Sequence, residues 1–486
     1  MSKFVIVDAA QGKFAQKARQ FVVEAVSSCI NAPVPVLNGD NTDAFADCSA
    51  IIFGKNDSPM IQNLVQTCGF QPETRPQGYA IQVCPNPNCP EIDWIVISGA
   101  DDLGMLYGCV DFAEQDLGNE LFTKRNLRMS EDRYFKNLLG EKLPAYRRST
   151  APSVSERGIW TWGHVIYDYR RFIDNMLRLK LNVLTVWNDY VPVNIKDVVA
   201  YAHENGVMVF LGYSWGWNSK MYLTTEGLNY ENTLDSLKQQ VIDAYEHYYA
   251  DVGADGIYFQ SFTETTDEYL GKMLIAEAVT NFVNETGGEL LRRYPDLRLQ
   301  FGLHATSVRK RLDYMKNIDK RIEIIWEDCG SFPYEYNPVV RNFDEMLSFV
   351  EEISVLRGQD DRFGSVFKGM SVLDWPTFSH QSGPFTMGES GPQFVAKRNA
   401  FKQRMWKVLQ AYWLKNGEAV RKTVDVLSRK KNGQLQIVGL VEDGVFEAQV
   451  PFVVAMFAEM LWDCQQPAQE AIFHASLRSC AQFSNT

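Results

Sequence analysis

Glu264 ends the stretch Gly253-Ala-Asp-Gly-Ile-Tyr-Phe-Gln-Ser-Phe-Thr-Glu264, where a strand-like apolar run, Ile257 to Phe259, leads within five residues to a carboxylate beside hydroxyls. A carboxyl at a strand end is placed to give or take a proton, and general acid help is typically worth about 10² to 10⁴ in rate. Similar groupings end other apolar runs. Upstream lie Arg157, Trp160 and Trp162, then Trp187, Asn188 and Asp189, then Tyr213, Trp215 and Trp217. Downstream lie His304, then Trp326, Glu327 and Asp328, then Asp374 and Trp375.

Aromatic planes beside carboxylates suit a carbohydrate. The C–H faces of a sugar ring stack on indoles, and its hydroxyl edges need acceptors such as Asp, Glu and Asn. Cleaving a glycosidic bond needs one protonated carboxyl for the leaving oxygen and a second carboxylate as base or nucleophile. Glu264 is the expected acid, with Glu327, Asp328 or Asp374 as the second carboxylate. Arg157, Trp160, Trp162, Trp187, Asn188, Tyr213, Trp215, His304, Trp326 and Trp375 are the expected sugar contacts, Arg157 through its fork of donors. Structural alternatives stand beside each: a tryptophan filling core, a hydrogen-bonded His304, a solvated Glu327–Asp328 pair, an Arg157 ion-paired with Asp189 or Asp374. A metal on His304 with Glu327 or Asp328 lacks an arguable third ligand, and no Gly-x-Ser-x-Gly elbow or His-Glu-x-x-His helix occurs. No metal and no cofactor are expected.

These residues need a scaffold that brings strand ends together. Strand-like runs recur at Gly158–Trp162, 182–187, 207–213, 256–260, 297–303, 322–326, 370–373 and 435–440, with helix-length segments between. Eight such runs predict a (β/α)8 TIM barrel, whose catalytic face gathers the strand C-termini. Ahead of it, strand and helix runs between Phe4 and Leu117 predict a small α/β or α+β domain. The expected divisions are 1–145 for that domain, 146–445 for the barrel, with a basic linker near 136–150, and 446–486 for a helical C-terminal segment. Asp101 to Gly108 joins a strand to a helix through glycines; without a phosphate-loop ending it reads as packing.

A formal net charge of −12 disfavours nucleic acid and anionic membrane surfaces as partners. No run of about 18 apolar residues and no signal-peptide core occur, so a soluble, cytoplasmic protein is expected, as a possible homo-oligomer. Nine cysteines without a framework spacing fit a reducing compartment, and Cys84 and Cys89 read as loop thiols rather than a zinc site. A uronate would meet Glu264, Glu327, Asp328 and Asp374 with only Arg157 as counter-charge, so a neutral or N-acetylated sugar is favoured.

On these residues the sequence resembles the barrel glycosidases of family 20, the β-N-acetylhexosaminidases, and family 67, the α-glucuronidases. Glu156-Arg157-Gly158 with the segment Arg171 to Trp187 is similar to the first barrel unit of family 20, where the arginine binds sugar hydroxyls. Thr263-Glu264, after an Asp-Gly pair, is similar to family 67, which implies a general acid at Glu264 and inversion. The segments 438–444 and 455–463 are similar to that family's last strand and following helix. Family 20 has an adjacent Asp-Glu pair where Thr263 stands, and family 67 a cation where Gln260 stands. The resemblance therefore implies an exo-acting glycoside hydrolase, hexosaminidase-like or glucuronidase-like, with an oligosaccharide or glycoside as partner. A carbohydrate-binding protein on a degenerate barrel is the alternative.

Overall fold

Each apolar run has to bury its side chains, and the chain does so in two compact units. The computed structural model describes residues 3–30, 32–39, 41–117, 142–162, 166–188, 190–216, 230–262, 268–270, 272–304, 311–328, 342–370, 384–388, 391–429, 434–441, 446–447 and 449–484. One unit comprises Met1–Ser153, Glu204–Gly206 and Phe473–Ala481; the other comprises Val154–His203, Val207–Ile472 and Gln482–Thr486. Contacts divide the expected C-terminal segment 446–486 between these two units. Its helix Phe452–Trp462 is buried on every face, which commits it to the barrel unit.

The first unit is a six-stranded sheet of order β2-β1-β3-β5-β4-β6. Its strands are β1 (Lys3–Ala9), β2 (Val36–Asn38), β3 (Cys48–Lys55), β4 (Tyr79–Pro85), β5 (Asp93–Gly99) and β6 (Arg147–Thr150), and its helices include α1 (Ala15–Ile30), α2 (Pro59–Thr67) and α3 (Asp102–Asp111). β2, β1, β3 and β5 run parallel; β4 runs antiparallel to β5 and β6. The expected basic linker ends in β6, because half-buried Arg148 pairs with buried Asp111 at 3.3 Å and Asp116 at 3.0 Å. Asp101 caps α3 by accepting from Gly104 N at 2.8 Å, and a Cβ on Gly104 would overlap Gly78 O, so that glycine segment is packing. Cys84 lies buried in β4, not in a loop.

The second unit is a closed parallel barrel of order β10-β13-β14-β15-β16-β7-β8-β9. Its strands are β7 (Glu156–Trp162), β8 (Val183–Trp187), β9 (Met208–Gly212), β10 (Gly256–Phe259), β13 (Arg298–His304), β14 (Ile322–Glu327), β15 (Phe363–Phe367) and β16 (Leu435–Leu440); a hairpin, β11 (Tyr269–Leu270) with β12 (Met273–Leu274), interrupts the series. Helices stand between the strands, among them α4 (Tyr169–Arg178), α5 (Ile195–Glu204), α6 (Tyr230–Ala244), α7 (Ile275–Arg293), α8 (Phe343–Ser354) and α9 (Pro392–Arg429). This is a (β/α)8 TIM barrel. One expected strand is displaced: the seventh is Phe363–Phe367, and Met370 already lies in a turn beyond it.

Side chains alternate along each strand, so every second residue faces the lumen. At the N-terminal end the lumen is polar: Arg298 bridges Glu323 at 2.7 Å and Glu156 at 2.9 Å, and Gln300 donates to Glu323 and Gln436, each at 2.9 Å. Above it Val183, Phe210, Ile325, Val366 and Val438 pack with Trp160, Trp187 and Tyr258. Among the described residues no helix is long and apolar enough to cross a membrane.

Candidate active site

Glu327 is the last residue of β14, paired in register with His304 of β13, and it is fully buried at the carboxyl end of the lumen. Tyr258 Oη and Gln260 Nε2 both donate to its Oε1, and Lys368 Nζ lies 2.6 Å from Oε2. Burial alone would raise its pKa. The Lys368 cation, the His304 ring and the bonds from Lys368 and Tyr258 outweigh burial and hold the carboxyl below its ordinary value. Glu327 is thus a carboxylate at neutral pH.

Gly302 makes the arrangement possible. A Cβ there would overlap Tyr258 Oη and stand 3.0 Å from Glu327 Oε1, so only glycine lets the phenol reach the carboxylate. Lys368 follows β15 directly, and its ammonium also lies 6.0 Å from the Trp160 ring centroid. Asp328, one step past Glu327, turns from the lumen: its Oδ1 accepts from Lys368 N at 2.7 Å and its own amide donates to Val366 O at 3.1 Å. It fixes the backbone that carries the lysine. His304 is driven down to about 4, first by burial and then by Lys368, so its ring is neutral at pH 7.

Trp160 and Trp187 enter the lumen beside Tyr258, with edge-on approaches of 5.8 and 5.4 Å to its ring. They form a closed aromatic floor. At its rim two buried donors have no hydrogen-bond partner among the described residues, Asn188 Nδ2 after β8 and Ser261 Oγ after β10. Just beyond, Phe262 holds φ 50°, a left-handed conformation that costs a non-glycine residue energy and that often marks functional turns.

Several expected site residues are elsewhere. Arg157 is the second residue of β7, at the opposite end of the barrel: its guanidinium donates to the carbonyls of Lys180, Val154 and Ser155 and covers Trp462 at 5.1 Å. The fork is spent on backbone. Trp326 faces the helix layer against Phe349 of α8, and Trp215 stacks on Phe259 at 3.6 Å beneath Phe282 of α7. Tyr213 donates to Val241 O of α6 and stacks on Tyr249. All three fill core, Trp326 from the outward side of β14 and Tyr213 and Trp215 from the segment just past the end of β9. Glu264, Asp374, Trp375, Asp189, Trp217 and the side chain of Trp162 lie outside the described residues. Among the described residues no group of His, Cys, Asp and Glu could hold a metal ion.

Lys368, Tyr258 and Gly302 were missed as site residues. Lys368 was hidden by the displaced seventh strand; Tyr258 is legible once β10 is assigned, because it shares parity with Gln260.

No family model matches the sequence, and no curated protein matches it. Among solved structures, a β-N-acetylhexosaminidase aligns at 11% identity over 84% of this chain and 84% of its own, with a TM-score of 0.39. A GH18 chitinase from Pseudoalteromonas aurantia aligns at 10% identity over 66% of this chain and 100% of its own, at 0.36. A GH5-4 endoglucanase from Clostridium longisporum aligns at 12% over 67% and 97%, at 0.35. At this distance the site's own chemistry has to carry any functional reading.

Proposed function

We propose that the protein is an exo-acting glycoside hydrolase for a neutral or N-acetylated sugar, working at the carboxyl end of the barrel. The observation that carries the reading is Glu327: a carboxylate kept ionised at the end of β14, above an aromatic floor, with orphaned donors of Asn188 and Ser261 at the rim. In the reaction Glu264 donates its proton to the glycosidic oxygen as the C1–O bond breaks. Glu327 either takes the proton of the attacking water or attacks C1 itself, and the product anomer distinguishes the two. Orphaned Asn188 Nδ2 and Ser261 Oγ offer hydrogen bonds to sugar hydroxyls.

Lys368 does not turn the reading toward uronates. Its charge is neutralised by Glu327 at 2.6 Å, and His304 is uncharged at neutral pH, so no cation among the described site residues is left over for a substrate carboxylate. The test is a panel of aryl hexosides, N-acetylhexosaminides and glucuronides at matched concentration with the Glu264→Gln and Glu327→Gln variants. Cleavage of a neutral aryl glycoside, lost in both variants, is expected. Glucuronide preference would overturn the substrate assignment, and sugar binding without turnover by the unmodified protein would favour a non-catalytic carbohydrate-binding barrel.

A further inference from the structure

The first unit has a cavity of its own. From β1 the chain passes through α1 to β2 on one side and then to β3 on the other, so the connections diverge at the carboxyl end of β1. Open α/β sheets bind ligands in the crevice such a divergence leaves. Here the crevice holds about 540 Å³, within the roughly 300–1,000 Å³ typical of small-molecule sites. Glycines let the strand ends beside it pack closely: a Cβ on Gly39 would stand 2.5 Å from Ala9 Cβ, and one on Gly54 3.1 Å from both Ala9 O and Ser58 Oγ.

The lining sets the ligand class. Asn38, Asn41, Thr42 and Asn63 supply amides and a hydroxyl, Asp8 a carboxylate, and Pro59 with Met60 an apolar wall. An anion is disfavoured. Asp8 stands in the cavity, and its own cation, Arg19 at 3.1 Å, is taken up by the pair. The start of α2 has little to give, because Pro59 lacks an N–H and Ser58 Oγ already accepts from Ile61 N. Amides, a hydroxyl and a carboxylate for ring hydroxyls, with Pro59 and Met60 for ring C–H groups, suit an uncharged polyhydroxylated ring.

We propose that this crevice is a second, non-catalytic site for a neutral mono- or disaccharide. It would hold saccharide on the same chain as the barrel, and it does not depend on the barrel's being catalytic. The test is calorimetric titration of full-length Glu327→Gln protein with cellobiose, xylobiose, maltose and N,N′-diacetylchitobiose at millimolar concentration. The same titrations follow after adding Asn38→Ala, whose side chain is exposed and does not hold the fold, or Ala10→Phe, which fills the cavity.

At least one sugar should bind, with affinity about tenfold weaker in Asn38→Ala and that binding class gone in Ala10→Phe. Ala10→Phe alone should leave aryl-glycosidase activity unchanged. Sugar binding that neither substitution alters, no binding by any of the four sugars, or binding of adenosine or inorganic phosphate in their place would overturn the proposal. Failure of the barrel reading would instead show as absent hydrolysis with this binding intact.

Discussion

If Glu327 is the proposed base or nucleophile, Lys368 governs whether it can work as one. Its cation is the largest influence opposing the cost of burying that carboxylate, so removing it lets the Glu327 pKa rise. Lys368→Met is expected to move the acidic limb of the kcat/KM profile to higher pH, because the group must lose its proton to act. An unmoved limb would show that Glu327 is not the titrating base. Trp326 and Trp187 give a paired comparison at the same scale. Trp326→Phe should lower Tm with KM unchanged, its ring lying against Phe349, whereas Trp187→Phe should raise KM. Equal KM effects would remove Trp187 from the sugar site. Glu327 could be picked out in the sequence because it ends a regular apolar run; Lys368 could not, since Phe-Gly-Ser-Val-Phe reads as a weak strand until its neighbours pair with it.

At the scale of elements, β13 is built around an absence. Gly302→Ala forces a methyl group into Tyr258 Oη, and overpacking of this kind typically costs about 1–3 kcal/mol. A lowered Tm together with lost turnover is the expected result. Gly288 of α7 is the control, with nothing nearer than Arg321 Nη2 at 4.0 Å, so Gly288→Ala should stabilise by about 0.5–1 kcal/mol and leave activity intact. If Gly302→Ala is as well tolerated, the Tyr258–Glu327 contact is not required. Seven of the eight barrel strands lie close to where the apolar pattern puts them. The exception has a physical cause: Phe363–Phe367 interrupts its apolar residues with Gly364 and Ser365, so the run 370–373 offers the denser apolar signal in the sequence.

For the whole molecule, two groups with shifted pKa values tie stability to pH. Glu447 accepts from Tyr167 N at 2.6 Å yet is pushed up to about 8, chiefly by burial. Its folded pKa lies above the unfolded value, so its contribution is complete at acid pH and is lost as pH rises through about 8. Glu447→Gln should therefore stabilise the protein relative to the unmodified one at about pH 9, by on the order of 4 kcal/mol and visible as a higher Tm, with the gain fading toward pH 5. A gain equal at both pH values would exclude titration as the cause. His304 acts on the other side: depressed to about 4, it takes up a proton more readily unfolded, so stability falls as pH drops from about 6.5 to 4. Arg157→Lys is expected to lower Tm without changing substrate affinity, since a lysine cannot span the carbonyls of Val154, Ser155 and Lys180. A weakened KM with unchanged Tm would return Arg157 to the substrate.

The strand runs, their number and the carboxylates that end them were written in the chain locally, because a parallel barrel strand must be apolar for several residues and then stop. Which of those end residues meet was decided only by closure of the barrel. Both faces of such a strand are buried, one by the lumen and one by helices, and the polar residues of the inward face, such as Arg298 and Gln300, are too few and too scattered among the strands to mark that face before the barrel closes. One step along the chain then separates Glu327, in the lumen, from Trp326, against α8. Distance along the strand hid Arg157 in the same way. A conspicuous arginine five residues before the end of β7 reads as part of the strand-end group, until parallel pairing places it with Ile437 at the far end of the barrel.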